Sequence, residues 1–127
     1  MSAKIVDAAQ GLLTISITGT LTHAELAEVQ KKAAELFRRE GRMRILILTE
    51  DFHGWGDGGD EWGDLAFQSA NDQFIAKLAI VGDGEWEDLA LMFVSKGLRR
   101  FPVEYFQTAE LAKARAWLAA DPATGVA

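Results

Sequence analysis

The sequence predicts a single α/β domain with a mixed, mostly parallel sheet of five strands and four helices. Three observations predict this class. Two short alternating strands come first and are separated by a turn of three residues, an amphipathic helix follows, and apolar strand segments then alternate with helical patterns. The predicted order is β-β-α-β-α-β-α-β-α. Helices between consecutive strands require crossover connections, which join parallel strands.

The first two strands are predicted over residues 4–8 and 12–19. In the second, apolar side chains alternate with hydroxyl side chains, which is the pattern of a half-buried strand. Residues 9–11 are few enough for a hairpin turn, so these two strands are expected to be antiparallel neighbours.

The first helix has a start signal, a buried stripe and a stop signal. Thr22 and Glu25 form a capping-box pattern, and Gly41 supplies a residue that tolerates a left-handed stop. Apolar residues recur between them at steps of three and four, which predicts one buried face. The stripe consists of Leu26, Val29, Ala33, Leu36 and Phe37.

The rest of the chain follows the same alternation. Residues 43–49 have no polar face after Arg44, so this strand is expected to be covered on both sides. We predict a Gly-rich acidic loop over 50–60, a helix over 61–72, a strand over 75–81, a helix over 86–97 and a strand over 103–106. Asp83 is expected to cap the third helix, and Thr108 the last one. The domain is predicted over residues 1–120, with a disordered tail over 121–127.

Composition and charge narrow the function classes. The chain has 127 residues, no Cys, and 19 acidic against 13 basic residues, for a net charge of -6. We therefore expect no disulfide or thiolate site, no nucleic-acid partner and no stable membrane insertion. The longest unbroken apolar run is short, and the first residues lack the apolar stretch of a secretory signal. We expect a cytoplasmic protein.

The candidate site follows from the predicted sheet. Ligands of open α/β sheets bind at the carboxyl ends of parallel strands, near a switch in strand order. The segments after the third and fourth strands are the one place in the sequence where titratable groups and large aromatic groups converge. The candidate residues for binding a ligand or partner are Asp51, His53, Trp55, Asp57, Trp62, Asp83 and Trp86.

These segments allow four interpretations. Asp51 and His53 suit a metal ion, but their spacing matches no known metal-binding loop. The glycines suit a phosphate, but residues 50–64 hold six carboxylates and no Lys or Arg. His53 has no Ser or Cys in the segment to activate. We therefore expect no catalytic residue, no metal and no cofactor, and favour a recognition surface for a protein partner or a small apolar or cationic ligand.

The sequence is compatible with two roles for Trp55 and suggests a surface role for two residues of the third predicted helix. Trp55 either presents its ring to a partner or folds back against the core. Leu91 and Met92 fall off the apolar stripe of their helix, which suggests a surface for a homodimer or a lid.

The chain resembles a known family at several motifs. These are Phe52-His53-Gly54-Trp55 followed by Glu61-Trp62-Gly63-Asp64; Lys77-Leu78-Ala79-Ile80-Val81-Gly82-Asp83 with Trp86; and Val103-Glu104-Tyr105-Phe106 before Ala-Lys-Ala-Arg-Ala-Trp-Leu at 112–118. In this order they resemble the SpoIIAA-like proteins of the STAS/SEC14-like domain family, over residues 4–119. The resemblance implies a regulatory or binding module without established enzymatic activity.

The same resemblance sets what is expected of the site. In anti-sigma-factor antagonists, a Ser or Thr at the start of the helix after the third strand is phosphorylated. Residues 50–64 contain neither, so that switch is not expected to carry over. SEC14-like relatives hold lipids, and the alternative function is therefore a carrier of a lipid or other apolar molecule, gated by the third helix. A third hypothesis is a metal-dependent hydrolase that uses Asp51 and His53.

Overall fold

Five strands form one mixed sheet. The computed structural model describes residues 3–9, 11–55, 72–88, 91 and 101–120. The strands are β1 (Ala3–Ala9), β2 (Leu12–Leu21), β3 (Met43–Trp55), β4 (Ile75–Gly82) and β5 (Val103–Gln107), and they lie in sequential order. β1 is antiparallel to β2, and all other neighbours are parallel. The predicted α/β class and the predicted mixed five-stranded sheet are confirmed.

The described residues contain two α-helices, not the four predicted. They are α1 (His23–Glu40) and α2 (Leu111–Ala119), with 3₁₀ turns at Asp72–Phe74, Gly84–Trp86 and Thr108–Glu110. The helix predicted over 61–72 lies outside the described residues except for Asp72, which belongs to a 3₁₀ turn. Of the helix predicted over 86–97, Trp86 lies in a 3₁₀ turn and Glu87, Asp88 and Leu91 are helical; its other residues lie outside the described part. The predicted tail over 121–127 lies outside it as well.

The signals at the ends of α1 act as predicted. The Thr22 hydroxyl accepts a hydrogen bond of 3.2 Å from the Glu25 backbone N–H and donates one of 3.0 Å to the Glu25 carboxylate. At the other end, Gly41 adopts a φ of 83°, and its N–H donates to the Phe37 carbonyl at 2.8 Å. Both ends therefore satisfy backbone groups that an uncapped helix would leave without partners.

Strand alternation sends side chains to two separate cores. On the α1 side, Ile45 and Ile80 belong to a large apolar cluster that contains Phe37 of the helix. On the opposite side, Leu46 and Ala79 pack with residues of α2, in a second cluster that consists of Leu46, Ala79, Val81, Ala114 and Leu118. A helix on each face explains why β3 and β4 lack a polar face.

Lys77 is a buried cation that fixes the end of α2. It is 5% exposed, and its Nζ donates to the carbonyls of Trp117 at 2.5 Å and Ala120 at 3.0 Å. The ammonium also lies 4.6 Å from the centre of the Trp117 ring. A positive charge at the carboxyl end of a helix interacts favourably with the helix dipole, so Lys77 joins α2 to the sheet.

Two predicted caps are wrong. Asp83 stands at the cap position of the turn Gly84–Trp86, but its side chain makes no capping bond there. The last helical segment is capped by Gln107, not by Thr108. The Gln107 N–H donates to the Glu110 carboxylate at 2.9 Å, and the Gln107 side chain accepts from the Glu110 backbone in return. Thr108 is the first residue of the 3₁₀ turn. The capping box therefore begins at Gln107, one residue before the Thr108 hydroxyl that the sequence suggests as the cap.

Among the described residues, no helix combines the length and the apolar character that a bilayer crossing requires.

Replacing Lys77 by Met is expected to lower the free energy of unfolding by about 1–3 kcal/mol, because a charged hydrogen-bond donor is lost from two carbonyls while the apolar stem is kept. Urea denaturation followed by circular dichroism measures the change. Lys113→Met is the matched control, since Lys113 is exposed and its one ion-pair partner among the described residues is Glu110, at 3.4 Å. Equal stability of the two variants would contradict the role assigned to Lys77.

Candidate functional site

β3 continues beyond the end of its pairing with β4 while it still pairs with β2. Its pairing with β4 ends at Leu48 and Val81, whereas its pairing with β2 continues until Trp55 faces Leu21. The segment Thr49–Trp55 therefore forms, with the end of β2, a two-stranded extension past the carboxyl end of β4. The predicted loop over 50–60 is wrong for residues 50–55, which are strand; residues 56–60 lie outside the described part.

Two bulges of one residue each explain why the sequence pattern predicts a loop where the structure has the strand extension. Thr18 and Gly19 face Glu50 and Phe52, so Asp51 is the extra residue, and it has a φ of 49°. A second residue is inserted between Phe52 and Trp55, where Gly54 has a φ of 99°. Each bulge breaks the alternation of side chains, and a sequence pattern without alternation does not predict a strand.

Trp86 packs against this extension. Its ring lies 5.1 Å from the Phe52 ring, centre to centre, at an angle of 70°. A Cβ placed on Gly54 would lie 3.3 Å from Trp86 Cη2, so the glycine permits the indole to approach the backbone. Trp86 is half-buried and packs against the larger core. The segments after the two central strands therefore meet through an aromatic contact.

Side-chain hydrogen bonds join β3, β4 and β5 near the carboxyl end of β4. The Thr49 hydroxyl donates to the Val81 carbonyl at 2.8 Å, and the Tyr105 hydroxyl donates to the Asp83 carbonyl at 2.6 Å. Gly82 lies between them. A Cβ there would collide with the Thr49 side chain and would lie 2.7 Å from the Tyr105 hydroxyl oxygen. The backbone after β4 is consequently held from both sides.

The end of β5 holds the same turn through its side chains. The Gln107 amide donates to the Glu87 carboxylate at 3.3 Å, and the Thr108 hydroxyl contacts an Asp83 carboxylate oxygen at 3.5 Å. Two carboxylates of the turn are thus oriented by polar groups of β5 and of the residue that follows it.

The structure places the predicted site residues as follows. Asp51, His53 and Asp83 are exposed, and Trp86 is half-buried. Trp55 ends β3, but its side chain is not described; Asp57 and Trp62 lie outside the described residues. Sequential strand order contains no reversal, so the switch point expected beside the site is absent from the described sheet.

Exposed or half-exposed carboxylates concentrate after the last pair of β3 and β4. We call this set the acidic rim, and it consists of Glu50, Asp51, Asp83, Glu85, Glu87 and Asp88. Its charge is visible in the pKa of Tyr105, which is raised from 10.0 to about 12, mainly by burial and further by the carboxylates of Asp83 and Glu87. A negative environment disfavours phenolate and favours cations.

Sequence reasoning missed Thr49, Tyr105 and Gln107, which connect the strands at this end. Their signal was weak because each is a single polar residue with no spacing in the sequence that relates it to the turn it contacts. Within the described part of the chain, no group of three or more His, Asp and Glu side chains is arranged to hold a metal ion.

Titration of Tyr105 tests the electrostatics of the rim directly, because it is the only tyrosine in the chain. Phenolate absorbance should reach half its change near pH 12 in the folded protein and near pH 10 in denaturant. Since the folded pKa is the higher one, this contribution to stability is complete below pH 10 and is lost as the pH rises towards 12. Glu87→Gln should lower the folded midpoint; a wild-type midpoint near 10 with unchanged circular dichroism would refute the arrangement.

The comparisons with known proteins agree with this geometry. The SpoIIAA-like family model matches residues 12–119. A solved structure from Shewanella loihica PV-4, an uncharacterized protein of the DUF3478 family with a SpoIIAA-like fold, matches with a TM-score of 0.69; it is 19% identical, and 92% of each chain is covered. No curated protein matches the sequence. The fold follows from the structural match, and the family match over most of the chain shows that this chain belongs to the SpoIIAA-like family.

Proposed function

We propose that this domain is a non-catalytic binding module that engages a protein partner or a small ligand of cationic character at the acidic rim. The observation that carries the proposal is that the segments after the paired parts of β3 and β4 carry negative charges without positive ones. Residues 49–55 and 82–88 contain no Lys or Arg, and the rim carboxylates face solvent from them wholly or in part. Such a surface attracts cations and repels phosphate groups.

The second support is the rigidity of the backbone that presents these carboxylates. Thr49 and Tyr105 hold the turn after β4 by hydrogen bonds to Val81 and Asp83. A surface fixed before binding loses less conformational freedom when a partner docks. This favours recognition by charge and shape over folding on binding.

Phosphorylation of the kind used by anti-sigma-factor antagonists has no support at this site. Thr49, the hydroxyl nearest to the expected position, lies within β3 and donates its hydrogen bond to the Val81 carbonyl. A kinase would have to break this bond and place phosphate beside carboxylates, which costs electrostatic energy.

The carrier alternative remains distinguishable by experiment. A gate would require the helix predicted over 86–97 to lift, which would separate Trp86 from Phe52 and Gly54. The cost of breaking these contacts favours the binding module over a gate at this position. Native mass spectrometry of the purified protein decides between them, since a stoichiometric lipid adduct supports the carrier. Metal analysis after dialysis tests the hydrolase that would use Asp51 and His53.

The two tryptophans of this region should respond differently to truncation. Trp86→Ala is expected to cost roughly 2–4 kcal/mol of unfolding free energy, because its ring packs on Phe52 and Gly54. Trp55→Ala is expected to cost less than about 1 kcal/mol if its ring serves a partner. Urea denaturation of both variants measures the difference. A loss above about 2 kcal/mol in the Trp55 variant would assign that ring to the core.

Neutralising the rim should abolish binding of a cationic probe. In an NMR titration with a Lys-rich peptide, amide shifts are expected at residues 50–53 and 83–88, and they should weaken with added salt. The variant Asp51→Asn/Glu85→Gln/Asp88→Asn should lose them. Glu40→Gln, at the far end of α1, is the control and should keep them. Shifts spread evenly over the surface, or retained by the triple variant, would rule out the rim as the binding site.

A further inference from the structure

In the part of the chain that the structure describes, the edge of the sheet opposite to β5 has no strand beside it, and a groove runs next to it. β1 is the terminal strand in the order, so one side of it has no strand partner in the described sheet. Between β1 and α1 runs a groove of about 400 Å³, lined along β1 from Ala3 to Ala8 and along α1 from Glu28 to Arg39. Small side chains at both ends of β1 leave this space under the helix.

Charges on the groove side of α1 alternate in sign. Glu28, Lys32, Glu35 and Arg39 follow at steps of four, three and four, so they form one stripe along the helix, and all four are exposed. Arg39 pairs with Glu40 at 3.7 Å, and within the described residues no ion pair joins the four to one another. From the amino end of α1, the charges of the stripe are negative, positive, negative and positive.

A stripe with this order is complementary to its own antiparallel copy. When a second α1 lies antiparallel beside the first, Glu28 faces Arg39 of the second copy and Lys32 faces Glu35 of the second copy. Two-fold symmetry repeats both pairs, which gives four opposite-charge pairs and no like-charge pair.

β1 has the same self-complementary property. The bulge at Val6 places Lys4 beside Ser16 and Asp7 beside Thr14, so both charges lie on one face of the sheet although three positions separate them. In an antiparallel pair of β1 strands centred between Ile5 and Val6, Lys4 of one copy faces Asp7 of the other, twice. Val6 is 55% exposed and stands beside this centre.

From these two independent patterns, we infer that a second copy of this chain docks on the open edge of β1. The two sheets join through antiparallel β1 strands, and the two α1 helices lie side by side above the junction. The unpaired backbone groups of β1 then gain partners, and each groove is closed by the neighbouring copy. This interface lies apart from the acidic rim and does not depend on the proposed function.

Sedimentation equilibrium at several protein concentrations tests the inference. The wild type should be a dimer whose dissociation increases with salt. Lys32→Glu creates two symmetry-related like-charge pairs and should raise the dissociation constant about tenfold or more, and Lys32→Glu/Glu35→Lys should restore dimerisation. Val6→Lys should give a monomer that stays folded, because the side chain is exposed in the single chain.

Controls separate this interface from other effects. Arg115→Glu alters net charge as Lys32→Glu does but lies on exposed α2 surface, and it should not change the dissociation constant. Circular dichroism checks that every variant is folded. A wild type that is monomeric at millimolar concentration, a dimer unaffected by Lys32→Glu and Val6→Lys, or a double variant that stays monomeric would each overturn the inference.

Discussion

The architecture of the rim depends on a mismatch in strand length. β3 pairs with β2 as far as Trp55, but with β4 only as far as Leu48. Within the described residues, the last part of β3 therefore has a strand neighbour on one side only. Trp86 packs on Phe52 and against Gly54 of this part. Because Trp86 belongs to the turn after β4, the carboxylates of that turn and Asp51 end up on the same end of the domain.

The regular elements could be predicted because their signals are local or periodic. The Thr22–Glu25 pair and Gly41 define α1, and unbroken apolar residues identify β3 and β4 as central strands. The β3 extension could not be predicted, since Asp51 and Gly54 introduce bulges whose pairing exists only when β2 lies alongside. A Gly-rich acidic segment has the same composition in a loop and in a bulged strand.

The candidate site was only partly predictable for a related reason. Titratable groups and tryptophans mark the two segments in the sequence, but hydrogen bonds across strands determine how they are presented. Tyr105 and Gln107 contribute polar contacts to residues that lie 22 and 20 positions earlier in the chain, and no sequence spacing reveals that relation. The absence of a strand-order reversal also removes the topological reason for expecting a deep crevice, which leaves a charged surface as the feature to explain.

The two edges of the sheet differ in what they offer. Residues 49–55 and 82–88, which follow the paired parts of β3 and β4, carry carboxylates and no Lys or Arg, which suits a different molecule of opposite charge. The β1 edge presents alternating charge, which suits an identical molecule. A domain with both surfaces could join its own copy without obstructing the rim, since one surface lies at the side of the sheet and the other at the end of its strands.

Hydrogen exchange of the amides between Phe52 and Trp55 tests most directly whether the rim rests on a formed strand extension. The account predicts that those N–H groups bonded to β2 exchange markedly slower than exposed amides, and that Trp86→Ala accelerates their exchange more than that of β4. Exchange at the rate of an unstructured peptide in the wild-type protein would show that residues 50–55 are a loop, and it would contradict the pre-formed site.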